Sequence, residues 1–378
     1  MTIGIDIRVL GVRGRSGVQE YVENLLAHLL PLDKSVHYKL FYTSFKHPLR
    51  DYDWLHGQNV KVYRFKTPNQ LLFYSSRVFD RPYVDQMIDG VDVFFSPHFL
   101  ITALSPHVRR VTTFHDLSFE HFPEFFSWKQ WLWHRFIQPA RQARFSHRII
   151  SVSESTRQDL VSRYHIDPAR ITTIHSGIAP QFRPLPRSLI EDFRKRKQLP
   201  ARYILFLGAL EPRKNIQSLV RAFNFLKRLP GFEDIHLVLA GARGWLNKGV
   251  RGAINESQQA QNIHIREEIL DYERPFYYGG AELFVYPSFF EGFGFPPLEA
   301  MACGTPVIAS NTSSLPEVVG NAGILINPYH TDDLTLAISS VLTDRHLLDQ
   351  LKNAGLEQIR RFTWQKCAQK TLEVLLRP

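Results

Sequence analysis

At 378 residues the chain exceeds one small core and implies two domains of roughly 180 residues each. Its 44% apolar and 13% aromatic content is that of a folded protein, and its two cysteines, Cys303 and Cys367, support neither a disulfide framework nor a cysteine zinc site. The net charge of +10 is uneven: residues 1–183 carry 23 Lys and Arg against 16 Asp and Glu, residues 184–378 carry 23 against 20, so the first half leans towards an anionic partner (a phospholipid surface, a lipid pyrophosphate or a nucleic acid), beside the plain reading of a solvated basic surface.

The opening "MTIGIDIRVL" reads as a buried first strand over 2–7, not as a basic leader. No run reaches the ~18 apolar residues of a membrane span, and the cytoplasm is the expected compartment. Further short apolar runs at 37–43, 92–96, 110–116, 147–153 and 170–176 alternate with helical patterns, which argues for a parallel sheet covered on both faces. The proline-rich "GIAPQFRPLPRS" marks a connection. The alternation then begins again, with strands expected at 202–208, 235–241, 261–265, 281–288, 305–310 and 322–328. Beyond 331 the spacing of Leu334, Ile338, Val341 and Leu342 predicts closing helices that run to "TWQKCAQKTLEVLLRP".

Several stretches carry chemistry. In "RVLGVRGRSGVQEYVENLL" a loop with Gly11, Gly14 and Gly17 joins the first strand to a helix starting near Gly17. The spacing is not that of G-x-G-x-x-G, so dinucleotide binding and an NAD-dependent oxidoreductase are disfavoured, while close backbone approach to a phosphate is expected. Asp51 and Asp53 resemble a metal-binding pair but have no supporting cluster and read as a solvated turn. In "TTFHDLSFEHFPEFF", His115 and Asp116 sit at a strand end, where an open α/β sheet meets its ligand; a satisfied structural histidine is the competing reading. Over 127–145, Trp128, Trp131, Trp133 and Phe136 interleave with basic residues, as in an interfacial segment or equally in a buried helix face. In "LFLGALEPRKNIQSLVRAF", Arg213 and Lys214 lie between a strand end and a helix beginning near Asn215, placed to neutralise a diphosphate or to be ordinary surface charge.

The most specific stretch is "PSFFEGFGFPPLEAMACGTPVIAS". Gly292 and Gly294 permit tight turns, and Pro296 and Pro297 suit a helix start, so Glu291 is expected in the loop and Glu299 in the first turn. A helix start with unbonded N–H groups can cradle a diphosphate while the carboxylates hold hydroxyls. An acidic first turn favoured by the helix dipole is the plainer alternative for either glutamate alone.

Taken together, the glycine loop, "TFHDLSF", "SVSESTRQDL", "GALEPRKN", the two glutamates eight residues apart and "NTSSLPEVVGNAGILINP" resemble the retaining glycosyltransferases of family 4, most of all bacterial mannosyltransferases of surface polysaccharide synthesis. The resemblance implies the GT-B fold: two doubly wound Rossmann-like domains facing a cleft. An acceptor-binding domain would span 1–183, a nucleotide-sugar-binding domain 184–362, and the C-terminal helix, 363–378, would return to the first. It further implies that Glu299 binds the donor ribose, that Glu291 and the backbone of Gly292, Phe293 and Gly294 hold the transferred sugar, that Arg213 and Lys214 grip the diphosphate with help from the Gly17 backbone, and that His115 hydrogen-bonds the donor sugar. Glu291, Arg213, Lys214 and His115 would form the catalytic set, with no metal or other cofactor required. Two departures stand out: Ala209 follows Gly208 where many members carry Arg, and His175-Ser176-Gly177 replaces a common His-Asn-Gly. The expected function is transfer of mannose from GDP-mannose to a lipid-linked or polysaccharide acceptor, in the cytoplasm, with attachment to the inner face of the membrane left open and no nucleic acid as partner. A UDP-hexose or dTDP-rhamnose donor is the alternative within the class, because the base is read around 263–271, and a non-catalytic saccharide- or lipid-binding protein is the alternative outside it.

Overall fold

The computed structural model describes residues 1–11, 16–45, 47–241 and 248–377. Gly14 lies outside the described residues. By its internal contacts the chain divides into two compact units: residues 1–117, 128–177 and 363–378, and residues 118–127 with 178–362.

The first unit is built on a seven-stranded sheet of β1 (Thr2–Asp6), β2 (His37–Thr43), β3 (Val60–Phe65), β4 (Val93–Ser96), β5 (Arg109–Phe114), β6 (Arg148–Ser151) and β7 (Ile171–Thr173), in the order β3-β2-β1-β4-β5-β6-β7. Every neighbouring pair is parallel. Parallel pairing requires crossovers, and helices such as Gly17–Leu29, between β1 and β2, supply them. Central strands bury both faces and so read as continuous apolar runs: Ile3, Ile5, Phe94, Phe95, Ile149 and Ile150 have no more than 0% exposure.

β3 has no counterpart among the strands expected from sequence. It is an edge strand in which none of the six residues is buried, and Lys61 and Arg64 interrupt its apolar positions, so no apolar run announces it. The closing helix Trp364–Leu376 belongs to this unit. Its Trp364 meets Tyr21 of helix Gly17–Leu29 at 5.9 Å, and Arg109 donates to the Leu375 carbonyl at 2.8 Å.

The second unit carries β8 (Arg202–Leu207), β9 (Ile235–Ala240), β10 (Ile263–Arg266), β11 (Leu283–Tyr286), β12 (Val307–Ser310) and β13 (Ile324–Ile326), in the order β10-β9-β8-β11-β12-β13 and again all parallel. All six were expected from sequence. The units divide at residue 177 rather than at the expected 183, and residues 118–127 group with the second unit. The aromatic density of "SFEHFPEFFS" explains the latter: His121 stacks on Phe290 at 4.8 Å and Phe125 on Phe289 at 5.7 Å.

Of the two readings open for residues 127–145, the buried helix face is not what forms. On helix Trp128–Ile137, Trp128, Trp131, Trp133 and Phe136 are all exposed, and Ile137 is the one buried residue. No helix of the described residues is long and apolar enough to cross a membrane. Cys303 and Cys367 are both free and buried.

Candidate active site

In an open parallel sheet the chain leaves adjacent strands in opposite directions at a switch point, and ligands bind beyond the C-terminal ends there. The strand orders put one switch between β1 and β4 and another between β8 and β11. The sequence-derived residues fall at both.

In the second unit, β8 ends at Leu207 and a short turn, Pro212–Lys214, precedes helix Ile216–Leu226, while β11 leads through Ser288 to Glu291. Phe289 N–H donates to the Arg213 carbonyl at 2.9 Å and locks the two loops together. Glu291 then receives Lys214 Nζ at 2.6 Å, Arg213 at 3.2 Å and the Ser288 hydroxyl at 2.6 Å. Arg213 also donates to Glu211 at 2.8 Å and to the Phe290 carbonyl at 2.7 Å, and Lys214 donates to the Tyr286 hydroxyl at 2.7 Å. Two cations and two carboxylates, each with at most 15% of its side chain exposed, thus form one balanced cluster at the strand ends.

Burial by itself would raise the Glu291 carboxyl, but the Lys214 and Arg213 charges, with hydrogen bonds from Lys214 and Ser288, override it and bring the group down to about 2. Lys214 is held below the ordinary lysine value by burial and by neighbouring Arg213, against the pull of Glu291 and Glu211. Of the pair, the ionised Glu291 is the firmer, since it faces two cations and a hydroxyl whereas Lys214 faces opposing charges.

The loop after Glu291 is fixed from beneath. Ser313 accepts from Glu291 N–H at 2.9 Å, donating for its own part to the Thr312 carbonyl, and Ser314 donates to the carbonyls of Glu291 at 3.0 Å and Phe293 at 2.8 Å. Gly294 has φ +108, a conformation side-chain-bearing residues avoid, and it caps helix Phe295–Ala302. The helix therefore starts before the proline pair, which corrects the expectation for Glu299: it lies in the second turn, fully buried. There its carboxylate pairs with Arg274 and accepts from the Tyr278 hydroxyl at 2.7 Å. Pro296 and Pro297 also lack N–H groups, so this helix start offers a phosphate fewer donors than an ordinary one.

The first unit holds the remaining two residues. Gly17 is the first residue of its helix, exposed and preceded by a Ser16 cap: the Ser16 side chain accepts from Gln19 N–H at 3.2 Å and Gln19 accepts from Ser16 N–H at 2.9 Å. His115 follows β5 and donates from Nε2 to the Pro97 carbonyl at 2.8 Å, so its lone pair is on Nδ1. Tyr21 packs edge-on against the ring at 4.9 Å. Burial holds His115 below its ordinary value, opposed by the Pro97 bond and the Asp116 charge, so the ring is neutral at pH 7. His98, just past β4, lies 5.7 Å away with its Nδ1 buried and without a hydrogen-bond partner among the described residues, and burial, then His115, pushes it down to about 3.

The structure thus gathers Arg213, Lys214 and Glu291 with the 292–294 loop, gives Glu299 a separate cationic partner, and keeps His115 and Gly17 on the first unit. Sequence reasoning did not single out Glu211, Tyr286, Ser288, Ser313, Ser314, Arg274 or His98. His98 and Ser288 stand just beyond strand ends, the same signal that found His115, whereas the others depend on which loops meet.

Comparison with known proteins agrees with this architecture. The family "Glycosyltransferase Family 4" matches residues 15–182 and "Glycosyl transferases group 1" matches residues 189–358. The chain is 32% identical over 309 residues to O-antigen chain mannosyltransferase B of Escherichia coli, across 77% of this chain and 74% of that protein. It is 31% identical over 228 residues to the serotype-specific mannosyltransferase WbdA of E. coli, covering 60% of this chain and 28% of that longer protein. Among solved structures, sucrose-phosphate synthase from Thermosynechococcus elongatus aligns with TM-score 0.76 at 20% identity over 99% of this chain and 98% of that one. Anabaena HepE in complex with UDP and glucose aligns with TM-score 0.74 at 18% identity over 99% and 98%. The two parallel Rossmann-like units are those of the GT-B fold, and the chain belongs to the group 1, family 4 glycosyltransferases.

Proposed function

We propose that this glycosyltransferase is a retaining mannosyltransferase, using GDP-mannose and extending a lipid-linked or polymeric saccharide. The observation that carries the reading is the balanced cluster of Arg213, Lys214, Glu211 and Glu291 at the C-terminal ends of β8 and β11. The mannosyltransferase names of the E. coli relatives support the sugar.

In this reading the donor diphosphate shares Arg213 and Lys214 with Glu291, and the cations take up the charge that develops on the leaving nucleoside diphosphate. Glu291 is held ionised and immobile by three donors, which suits it to orient sugar hydroxyls together with the backbone of Gly292, Phe293 and Gly294. Glu299 receives the ribose hydroxyls, and its ion-pair partner Arg274 gives way to admit the ligand while Tyr278 keeps its bond to the carboxylate. The exposed N–H of Gly17 meets the diphosphate, and His115 accepts a sugar hydroxyl at Nδ1. Electrostatic stabilisation by these groups requires no metal ion. The acceptor proton leaves to a donor phosphate oxygen, so the new bond forms on the face that the diphosphate vacates.

The test is turnover and binding with GDP-, UDP- and dTDP-sugars. GDP-mannose as the preferred donor, with an α-configured product, is the expected result. Absence of binding and turnover with GDP-mannose overturns the donor, an inverted product overturns the stereochemistry, and turnover of UDP-hexose or dTDP-rhamnose identifies the alternative.

A further inference from the structure

The first unit contains a cavity of about 340 Å³ lined by none of the residues assigned to the donor. Its walls bring together Arg77 of helix Asn69–Val78, Arg110 of β5 and Arg141 of helix Pro139–Phe145. Against these three guanidinium groups its lining has one carboxylate, Asp80. Arg110 is half-buried and its guanidinium donates to one protein oxygen among the described residues, the Thr102 carbonyl at 2.7 Å. Arg77 Nε and the hydroxyl of Ser76, a residue 5% exposed, are buried with no hydrogen-bond partner among the described residues. Buried donors left unmatched are costly and rare in folded proteins, so a cavity that collects them alongside surplus positive charge is built for an anionic acceptor.

Arg110 and His147 stand at the N-terminal ends of β5 and β6, and substrates of such sheets approach the C-terminal ends.

The surroundings identify the anion. Helix Asn69–Val78, which supplies Ser76 and Arg77, turns Leu71, Tyr74 and Val78 outward on one face and is followed by Phe79, each at least 57% exposed. Helix Trp128–Ile137, whose last residue lines the cavity, exposes Trp128, Trp131, Leu132, Trp133 and Phe136. Cations lie over these rings: Lys129 at 5.6 Å from Trp128, Arg135 at 4.9 Å from Trp131 and, on the cavity wall, Arg141 at 5.3 Å from Phe145. Exposed aromatics under basic groups suit the boundary between headgroups and acyl chains.

We propose that this cavity binds the phosphate of an anionic phospholipid headgroup, while the exposed aromatic residues of 71–79 and 128–136 enter the surrounding membrane interface. The site is independent of the donor assignment and sets where the enzyme works rather than what it transfers.

The experiment is co-sedimentation of the full chain with vesicles of phosphatidylcholine alone and of equal parts phosphatidylcholine and phosphatidylglycerol. Binding to the anionic vesicles that weakens with salt is expected. Arg77→Gln should lower the partition coefficient by about fivefold, the weight of one basic group at an anionic surface, and Trp128→Ser with Trp131→Ser should weaken it further. Arg141→Gln, more exposed, serves as the second cavity variant, and retained donor hydrolysis shows that each variant is folded. Failure to bind anionic vesicles overturns the proposal. Equal binding by wild type and both cavity variants overturns the pocket and leaves surface adsorption. A thermal shift with inorganic phosphate, lost in Arg77→Gln but without vesicle binding, assigns the pocket to a soluble phosphate instead. An acidic peptide that binds where vesicles do not assigns it to a protein partner.

Discussion

Replacing Glu291 by Gln keeps the shape of the side chain and removes one charge from the cluster at the ends of β8 and β11. Glu211 and Glu291 balance Arg213 and Lys214 in the native protein, so the variant buries one excess positive charge, with Lys214, 8% exposed, left to two neutral acceptors, the Gln amide oxygen and the Tyr286 hydroxyl. Removing one partner of a buried pair costs roughly 3–5 kcal/mol. The carboxyl gives a similar figure: its fall from 4.5 to about 2 corresponds to roughly 3 kcal/mol at ~1.4 kcal/mol per unit. For a unit of about 200 residues this lowers Tm by roughly 7–12 °C. Because the carboxyl is depressed in the folded state, its contribution is complete above 4.5 and lost as pH falls from there towards 2, and Glu291→Gln should flatten that limb. A nucleoside diphosphate restores the missing negative charge, so GDP should raise the variant's Tm by more than the wild type's even though transfer is lost. Differential scanning calorimetry with and without GDP checks both. A fall of less than about 2 °C would show that Lys214 is not stranded, and equal gains with GDP would show that the diphosphate does not meet this cluster.

Other outcomes follow from the same geometry. Gly294→Ala puts a Cβ at φ +108 and 3.0 Å from Leu315, and should cost at least ~1–2 kcal/mol in urea denaturation while weakening donor binding through the displaced 292–294 loop. Arg274→Ala takes the cation from fully buried Glu299 and should cost roughly 3–5 kcal/mol, with partial rescue by Arg274→Lys. His98 and His115 both lie below the ordinary histidine value, so the first unit should lose stability as pH falls below 6.5, and His98→Phe should reduce the slope of that loss in a chemical-denaturation series.

Much of the fold was legible because central parallel strands buried on both faces must be apolar throughout, and twelve of the thirteen strands among the described residues, the edge strands β7, β10 and β13 included, announced themselves as short apolar runs. β3 did not, because an edge strand can alternate Lys61 and Arg64 with apolar residues and remain paired with β2. The site divided along the same physical line. Arg213, Lys214 and Glu291 were visible as charged residues placed beside glycine or proline at strand ends. Their partners were not, since Ser313 and Ser314 reach the Glu291 loop from beyond β12, and Arg274 reaches Glu299 from a helix 25 residues earlier in the chain. The segment 118–127 shows the limit of reading boundaries from linkers: it interrupts the first unit's sequence, yet its aromatic side chains find Phe289 and Phe290.

The two glutamates that look alike in sequence are held by different cations, and this separates their energetics. Glu291 answers to Lys214 and Arg213 at the strand ends, Glu299 to Arg274 and Tyr278 one helical turn inside. Substitutions whose interactions are not shared add to within about 0.5 kcal/mol, so Glu291→Gln and Glu299→Gln should be additive in the stability of the ligand-free protein. A donor that spans both carboxylates, with its sugar at one and its ribose at the other, makes them share a partner. In GDP-mannose binding the double variant should therefore lose less than the two single losses combined, because the first substitution already loosens the donor from the second. Additivity in both measurements would mean that no single ligand bridges the pair, and the assignment of Glu299 to the ribose would fall while the Glu291 cluster stood.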